Sequence, residues 1–599
     1  MGELAMREAV DRAASLISAQ DQLDDELCTW PSAPALYTRA NAVDQWPRPI
    51  TPLTQDLIAY PQERGLGRAF GPELGTAPEG GPWTWNGVFY GWYVYGVEPA
   101  AEMADNLPGY SRVAVYTDYF GVEEDPEAPA RASGGAGPLA VARIGGNFLR
   151  AMRTYPRRAE RMIELAGLRL AADLRRDWSA QPDEALVRRL TGHIPEAVDF
   201  RVPHVLASVI SAPLLQNVTE SVRRIVPDGA EPLVLEAVSG LGGIHLREAT
   251  RAMGEVARGS LGRAEFLDEY GFRGTNEFEL AARPWRDDPA TLDRLISGAA
   301  QECPAPTGVR ERARARLRAA AGVRWPVLRW KLGLLETHMR WRENGKVPMA
   351  MATHSMRLLT REAARRLVER GRLERPEDAH YLRLTELLGE LSGRPSPDLE
   401  TAVARRRRTL ELSARLRIPE MLDVEPGRVA EIGPARWKAM GVLPPAPPAV
   451  VVAGTVAGAA LAGAALAGGT VTGDLVAGGA VTGGAHGSEP GPAGAGTLSG
   501  VGGSSGVATG RARIVHDPNE VELAEGDVIV ARGTDSAWTP LFCEAAAVVI
   551  DVGGAMSHSA IAAREVGIPC VVNVKTGTER ITEGQRVTVD GGAGVVHLH

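Results

Sequence analysis

The residue in this chain whose surroundings best suit covalent chemistry is His558. It follows an apolar run that ends at Asp551, then two glycines, Gly553 and Gly554, and then Ser557. The glycines permit a tight turn and close approach of backbone. Ser557 is a natural helix N-cap, and the Ala, Ile, Arg and Glu residues after His558 propagate a helix until Gly567 and Pro569 stop it. His558 therefore falls in the first turn of a helix, where unpaired backbone N–H groups and the helix dipole favour an anion. A neutral imidazole nitrogen can take a phosphoryl group covalently, and these groups would steady the resulting charge. The plain alternative is a histidine that only caps a helix.

Two groups of charges add to the candidate chemistry. One is Arg273, Glu277 and Glu279; the other is Arg342, Glu343 and Lys346, whose spacing predicts one flank of a single helix. Arg and Lys can hold a transferring phosphoryl group, and a Glu can deprotonate an acceptor hydroxyl. The alternative is a buried structural ion-pair network. Aromatic residues are only 5% of the chain, yet seven of them fall between Trp83 and Tyr95. That cluster reads either as a hairpin packed in a core or as the wall of an apolar or aromatic substrate pocket.

The elements that must position these residues divide at a low-complexity stretch. Before about residue 445 the pattern is mainly helical, with long Ala/Leu/Arg/Glu stretches at 156–176, 309–342 and 354–372. After about residue 505, short β-branched runs at 511–515, 527–531, 546–551, 569–574, 586–590 and 594–598 alternate with turns, and one helix covers 557–566. That texture predicts a compact α/β domain. Between them, Ala/Gly/Pro-rich sequence reads as a flexible tether of about 60 residues, with a root-mean-square span of roughly 40 Å. Its apolar part, 449–468, has the length of a membrane span but few large side chains, so a tether is the better reading. The expected division is an N-terminal helical segment (1–29), a substrate domain (30–445), a linker (446–505) and a terminal domain (506–599).

The 599 residues are 44% apolar and 23% charged, with a net charge of −8. No global basic field points to nucleic acid or an anionic membrane. The basic run Arg405 to Arg408 reads as a solvated helix face. The four cysteines, Cys28, Cys303, Cys543 and Cys570, form no CxxC pair, and their spacing gives neither a disulfide framework nor a zinc site. This suits a reducing cytoplasm, and no metal site is expected.

The run GGAMSHSAIAAREVGIPCVV resembles the signature of the mobile domain of phosphoenolpyruvate synthase and pyruvate phosphate dikinase, the PEP-utilising enzymes. The flanking GVATGRARIV, EGDVIVARGTDSAWTPLF and EGQRVTVDGGAGVV resemble that domain's other strands, with Ser536 standing where proline is usual. The resemblance implies a swivelling phosphohistidine domain in which His558 carries the phosphoryl group. Thr534, Ser557, Arg564, Gly553 and Gly554 are carried over as supporting residues, although Arg564 also reads as an ordinary salt-bridging helix residue. Four islands in the larger part resemble the substrate domain of rifampicin phosphotransferase-like dikinases, in order: 39–57, 269–289, 340–357 and 374–387. There Asp44 stands for the usual glutamate, Phe272 for the usual histidine and Glu279 for the usual aspartate.

Such dikinases place an ATP-binding domain before the substrate domain. Here the substrate-domain pattern starts near residue 39, and no GxxxxGK loop occurs. The expectation is therefore a phosphotransferase component without a cofactor of its own. A separate ATP-binding subunit, with ATP and Mg, would charge His558, and a hydroxylated small molecule, apolar or aromatic, would receive the group near Arg273, Glu277, Arg342, Glu343 and Lys346. Two other readings stay open: a phosphate-independent lyase, dehydratase or cyclase with His558 as acid or base, and a non-catalytic small-molecule-binding protein.

Overall fold

The chain's two textures become two bodies, joined through residues that lie outside those the structure describes. The computed structural model describes residues 16–76, 85–105, 138–299, 308–416, 418–431, 496–519, 521–555 and 557–599. In the larger body an antiparallel sheet runs in the order β2-β3-β1-β4-β5. Its strands are β1 (Ala35–Thr38), β2 (Asn86–Phe89), β3 (Trp92–Gly96), β4 (Met421–Glu425) and β5 (Arg428–Glu431). The sequence did not announce this sheet, because β1 pairs with a strand nearly 400 positions away, Thr38 opposite Met421. Of the expected N-terminal helical segment, the described part is one turn, Leu16–Ala19, and two short 3-10 turns.

Six helices matter for the site: α1 (Tyr60–Arg68), α2 (Pro138–Arg175), α3 (Asp183–Arg223), α4 (His245–Ala257), α5 (Trp325–Asn344) and α6 (Val347–Glu369). The long α3 is the hub. It packs against α1, α2, α5 and α6 and is long and apolar enough to cross a membrane, yet most of that stretch is buried against these neighbours. The core around it contains Trp46, Leu53, Phe200, Phe278, Leu359 and Leu387. The candidate span at 449–468 lies outside the described residues.

The smaller body is an eight-stranded sheet in the order β6-β13-β12-β8-β9-β10-β11-β7. Its central strands β8 (Val507–Ile514), β9 (Asp527–Ala531), β10 (Ala547–Ile550) and β11 (Cys570–Val572) run parallel. β12 (Arg586–Asp590) and β13 (Val595–Leu598) add antiparallel strands on one side. Helix α7 (His558–Val566) crosses from β10 to β11, so its first residue lies beyond the carboxyl end of a central strand, where open α/β sheets hold ligands. Both outer strands, β6 (Thr497–Ser499) and β7 (Val501–Ser504), come from sequence expected to be linker, so the sheet begins about ten residues before 506.

Two further expectations are corrected. The run Arg405 to Arg408 is not simply a solvated face: Arg406 is buried between Glu26 and Glu386, Arg405 pairs with Asp24 and Glu26, and Arg407 with Asp378. It ties the N-terminal segment to the helical body, because opposed carboxylates are at hand to offset desolvation. Cys28 and Cys570 are free thiols, whereas Cys543 is disulfide-bonded, which its spacing from the other cysteines did not indicate.

Candidate functional site

Ser557 caps α7 as the sequence predicts, its hydroxyl facing the backbone N–H of Ala560 at 3.5 Å. The loop before it turns at Gly553, where φ is 142°, a conformation that favours glycine, and the Ser557 N–H donates to the Gly554 carbonyl at 2.8 Å. Thr534 and Ser559 join their hydroxyls at 2.8 Å beneath the first turn. Among the described residues Arg564 forms no salt bridge. It is buried and donates to the carbonyls of Gly503 and Ala555, bracing β7 and the glycine loop together. Burial pushes its guanidinium down to about 10.

All of this presents His558 to the larger body. Its imidazole is 4% exposed. Nδ1 stands 3.0 Å from Glu343 Oε2, and the backbone N–H donates to Asp44 Oδ2 at 2.9 Å. Asp44 thus takes the helix-start N–H that the sequence suggested would face a phosphoryl group. Nε2 has no hydrogen-bond partner among the described residues. The docked position is held by further contacts. Asp535 Oδ2 accepts from the Asn276 N–H at 2.7 Å, and Glu565 accepts from the Leu241 N–H at 3.0 Å and pairs with Arg247 at 3.3 Å. Burial raises the Asp535 carboxyl to about 6 and the Glu565 carboxyl to about 7.

Arg342, Glu343 and Lys346 do come together, but not on one helix. α5 ends at Asn344, Gly345 turns the chain, and Lys346 precedes α6. Pro348 in the first turn of α6 cannot donate the N–H that an unbroken helix would need. Gly345 permits the corner because a Cβ there would sit 2.9 Å from the His204 Cα. The corner brings Lys346 Nζ to 3.4 Å from the same Glu343 oxygen that meets His558. Burial alone would raise the Glu343 carboxyl; the charges of Lys346, His558 and Arg342 hold it well below the usual carboxylate range. A carboxylate so held is a poor proton acceptor, against the expectation that a Glu of this group deprotonates the acceptor.

A cavity of about 140 Å³ opens beside His558. Asp44, Arg342, Lys346, His204 and Arg201 supply its polar side, and Leu66, Phe70, Trp85, Tyr95 and Val205 are among its apolar walls. The aromatic cluster is therefore both things at once. Phe89, Tyr90 and Tyr93 are buried in the hairpin core, while Trp85 and Tyr95 reach the cavity; Trp83 lies outside the described residues.

Arg273 and Glu277 are not among the residues that line the cavity. They form a buried pair with both carboxylate oxygens 3.0 Å from Arg273 Nη1, and Arg273 Nη2 lies 3.3 Å from His245 Nδ1. Glu279 binds Thr51 and Thr54 and so fixes the start of the helical run 52–74. Sequence reasoning named Asp44 only as a variant position and did not find His204 or Arg201. Both of these lie inside the long apolar α3, with no motif around them.

A small α/β domain offers a helix-start histidine to a cavity in a larger helical body, and each body contains a stretch similar to a domain of PEP-utilising phosphotransferases. The family comparisons agree domain by domain. Residues 523–594 match the PEP-utilising enzyme mobile domain, and residues 245–343 match the rifampicin phosphotransferase fourth domain. An uncharacterized protein of Mycobacterium tuberculosis is 32% identical over 334 residues, which is 55% of this chain and 30% of that protein. The rifampicin phosphotransferase of Streptomyces sviceus is 45% identical over 103 residues, 17% of this chain and 12% of its own length. The uncharacterized phosphotransferase YvkC of Bacillus subtilis is 48% identical over 100 residues, 16% of this chain and 12% of its own. The chain thus matches 30% or less of the length of each of these relatives.

Proposed function

We propose that this chain is a phosphotransferase component in which His558 carries a phosphoryl group on Nε2 and passes it to a hydroxylated small molecule in the adjoining cavity. The observation that carries this reading is the seat of His558. Glu343 engages Nδ1, so Nε2 is the nitrogen left for the covalent bond, and Arg342 and Lys346 stand by to offset the charge of the group in transit. The step breaks the Nε2–P bond and forms an O–P bond to the acceptor, and the electron pair returns to the imidazole. The proton would stay on Nδ1 throughout, donated to the Glu343 carboxylate, so that histidine leaves as a neutral ring. The apolar and aromatic walls favour an acceptor with an apolar or aromatic body.

We further propose that the group arrives from a separate ATP-binding partner, using ATP and Mg. A cytoplasmic setting, where ATP is at hand, fits this reading. Mass spectrometry of the chain after incubation with ATP, with and without an ATP-binding partner, tests it. The expected result is acid-labile phosphate on His558 only when the partner is present. No phosphate on His558 under any of these conditions would sink the proposal.

A further inference from the structure

Phosphoryl transfer from His558 leaves one proton to be placed, because the acceptor hydroxyl must lose it as its oxygen takes the phosphoryl group. Glu343 is occupied by His558 and Lys346 and held well below the usual carboxylate range. Asp44 is clamped on the His558 N–H, and its other oxygen is enclosed without a partner among the described residues. His204 is different. It lines the same cavity as His558 from the middle of α3. Its Nδ1 lies 3.0 Å from the backbone carbonyl of Arg342. A carbonyl oxygen only accepts, so Nδ1 must carry the proton and Nε2, on the other side of the ring, must present a lone pair.

Three features keep the ring in that state. Burial, and then the charges of Arg201, Lys346 and Arg342, press its protonation well below the ordinary histidine range, against the weaker opposite pull of Glu343. The Arg342 carbonyl belongs to the last turn of α5, and the Gly345 corner packs directly on the His204 backbone, so the ring is registered to the Arg342–Lys346 group. Among the described residues Nε2 has no hydrogen-bond partner.

We propose that His204 is the general base of the transfer, a role that rests on the phosphocarrier reading of His558. Its Nε2 takes the proton of the acceptor hydroxyl as that oxygen forms its bond to phosphorus and the Nε2–P bond of His558 breaks. The imidazolium so formed then releases its proton to water. The same cationic neighbours that keep His204 neutral at rest drive that release.

The test uses the full chain, loaded chemically at His558 with phosphoramidate, and two aromatic probes, phenol and 4-nitrophenol, at mildly alkaline pH. Phenol is then largely protonated and needs a base, whereas 4-nitrophenol is already ionised. Wild-type chain is expected to phosphorylate both, and His558→Ala neither. In His204→Ala, and in His204→Gln, which retains an amide to meet the Arg342 carbonyl, the ratio of transfer to phenol over transfer to 4-nitrophenol is expected to fall on the order of 10²-fold. Thermal unfolding of each variant confirms that it is folded. A ratio equal to that of wild type in both variants overturns the role of His204 and leaves the carrier reading intact. Loaded wild-type chain that transfers to neither probe overturns both.

Discussion

Two clusters of the same residue types, built a short distance apart, do opposite things. Arg273 and Glu277 form a closed pair: the carboxylate meets one guanidinium nitrogen with both oxygens, and both side chains are buried. Arg342, Glu343 and Lys346 form an open one, in which a carboxylate is shared between a lysine and the histidine of another domain and two cations face a cavity. Residue types alone do not separate the two. What separates them is whether the charges face a cavity and are shared with the histidine of the other domain, which depends on a chain corner at Gly345 and on a docked domain.

If the first cluster is structural, removing one partner should strand a buried charge. Glu277→Ala is expected to cost about 3–5 kcal/mol of stability, read as a lower midpoint in chemical denaturation; a loss below about 1 kcal/mol would mean that the pair is not closed. The docked interface gives the next effect. The Glu565 carboxyl is raised to about 7 in the folded protein, above its ordinary value, so it favours folding most when protonated in both states. As pH rises from the ordinary carboxylate range towards 7, the unfolded chain ionises first and this contribution is lost. Wild-type stability should therefore fall across that window more steeply than that of Glu565→Gln, by about 1–3 kcal/mol at roughly 1.4 kcal/mol per unit, measured by denaturation at several pH values.

Gly345→Ala pushes a methyl group against the His204 backbone and the Trp341 carbonyl. It should cost about 1–3 kcal/mol and loosen the corner, which faster amide exchange at 342–346 would show. The smallest stability effect belongs to the open cluster. Arg342 is half-buried and makes no ion pair among the described residues, so Arg342→Met should change stability by less than about 1 kcal/mol, while transfer from loaded His558 slows on the order of 10²-fold. A large loss of stability there would erase the contrast between the clusters.

The parts of this arrangement that are local could be read directly from the residues. β9 and β12 match their β-branched runs, and α7 starts beside its Ser557 cap and stops at Gly567. The parts that depend on distant partners could not. β6 and β7 look like linker because they are rich in Gly and Ser, yet a Cβ at Gly502 would lie 2.5 Å from the Gly591 carbonyl, so the close approach of backbone demands the small residue. The pairing of β1 with β4 spans almost the whole larger body and leaves no local trace. Asp44 and His204 acquire their surroundings only when the α7 start and the α5 end meet them.

The nitrogen that bears the phosphate tests the central claim most directly. NMR of the full chain, labelled at histidine nitrogen and loaded with phosphoramidate, distinguishes the two ring positions of His558. Because Glu343 engages Nδ1, phosphate is expected on Nε2 in wild type and none in His558→Ala. Phosphate on Nδ1, or on a residue other than His558, would contradict it.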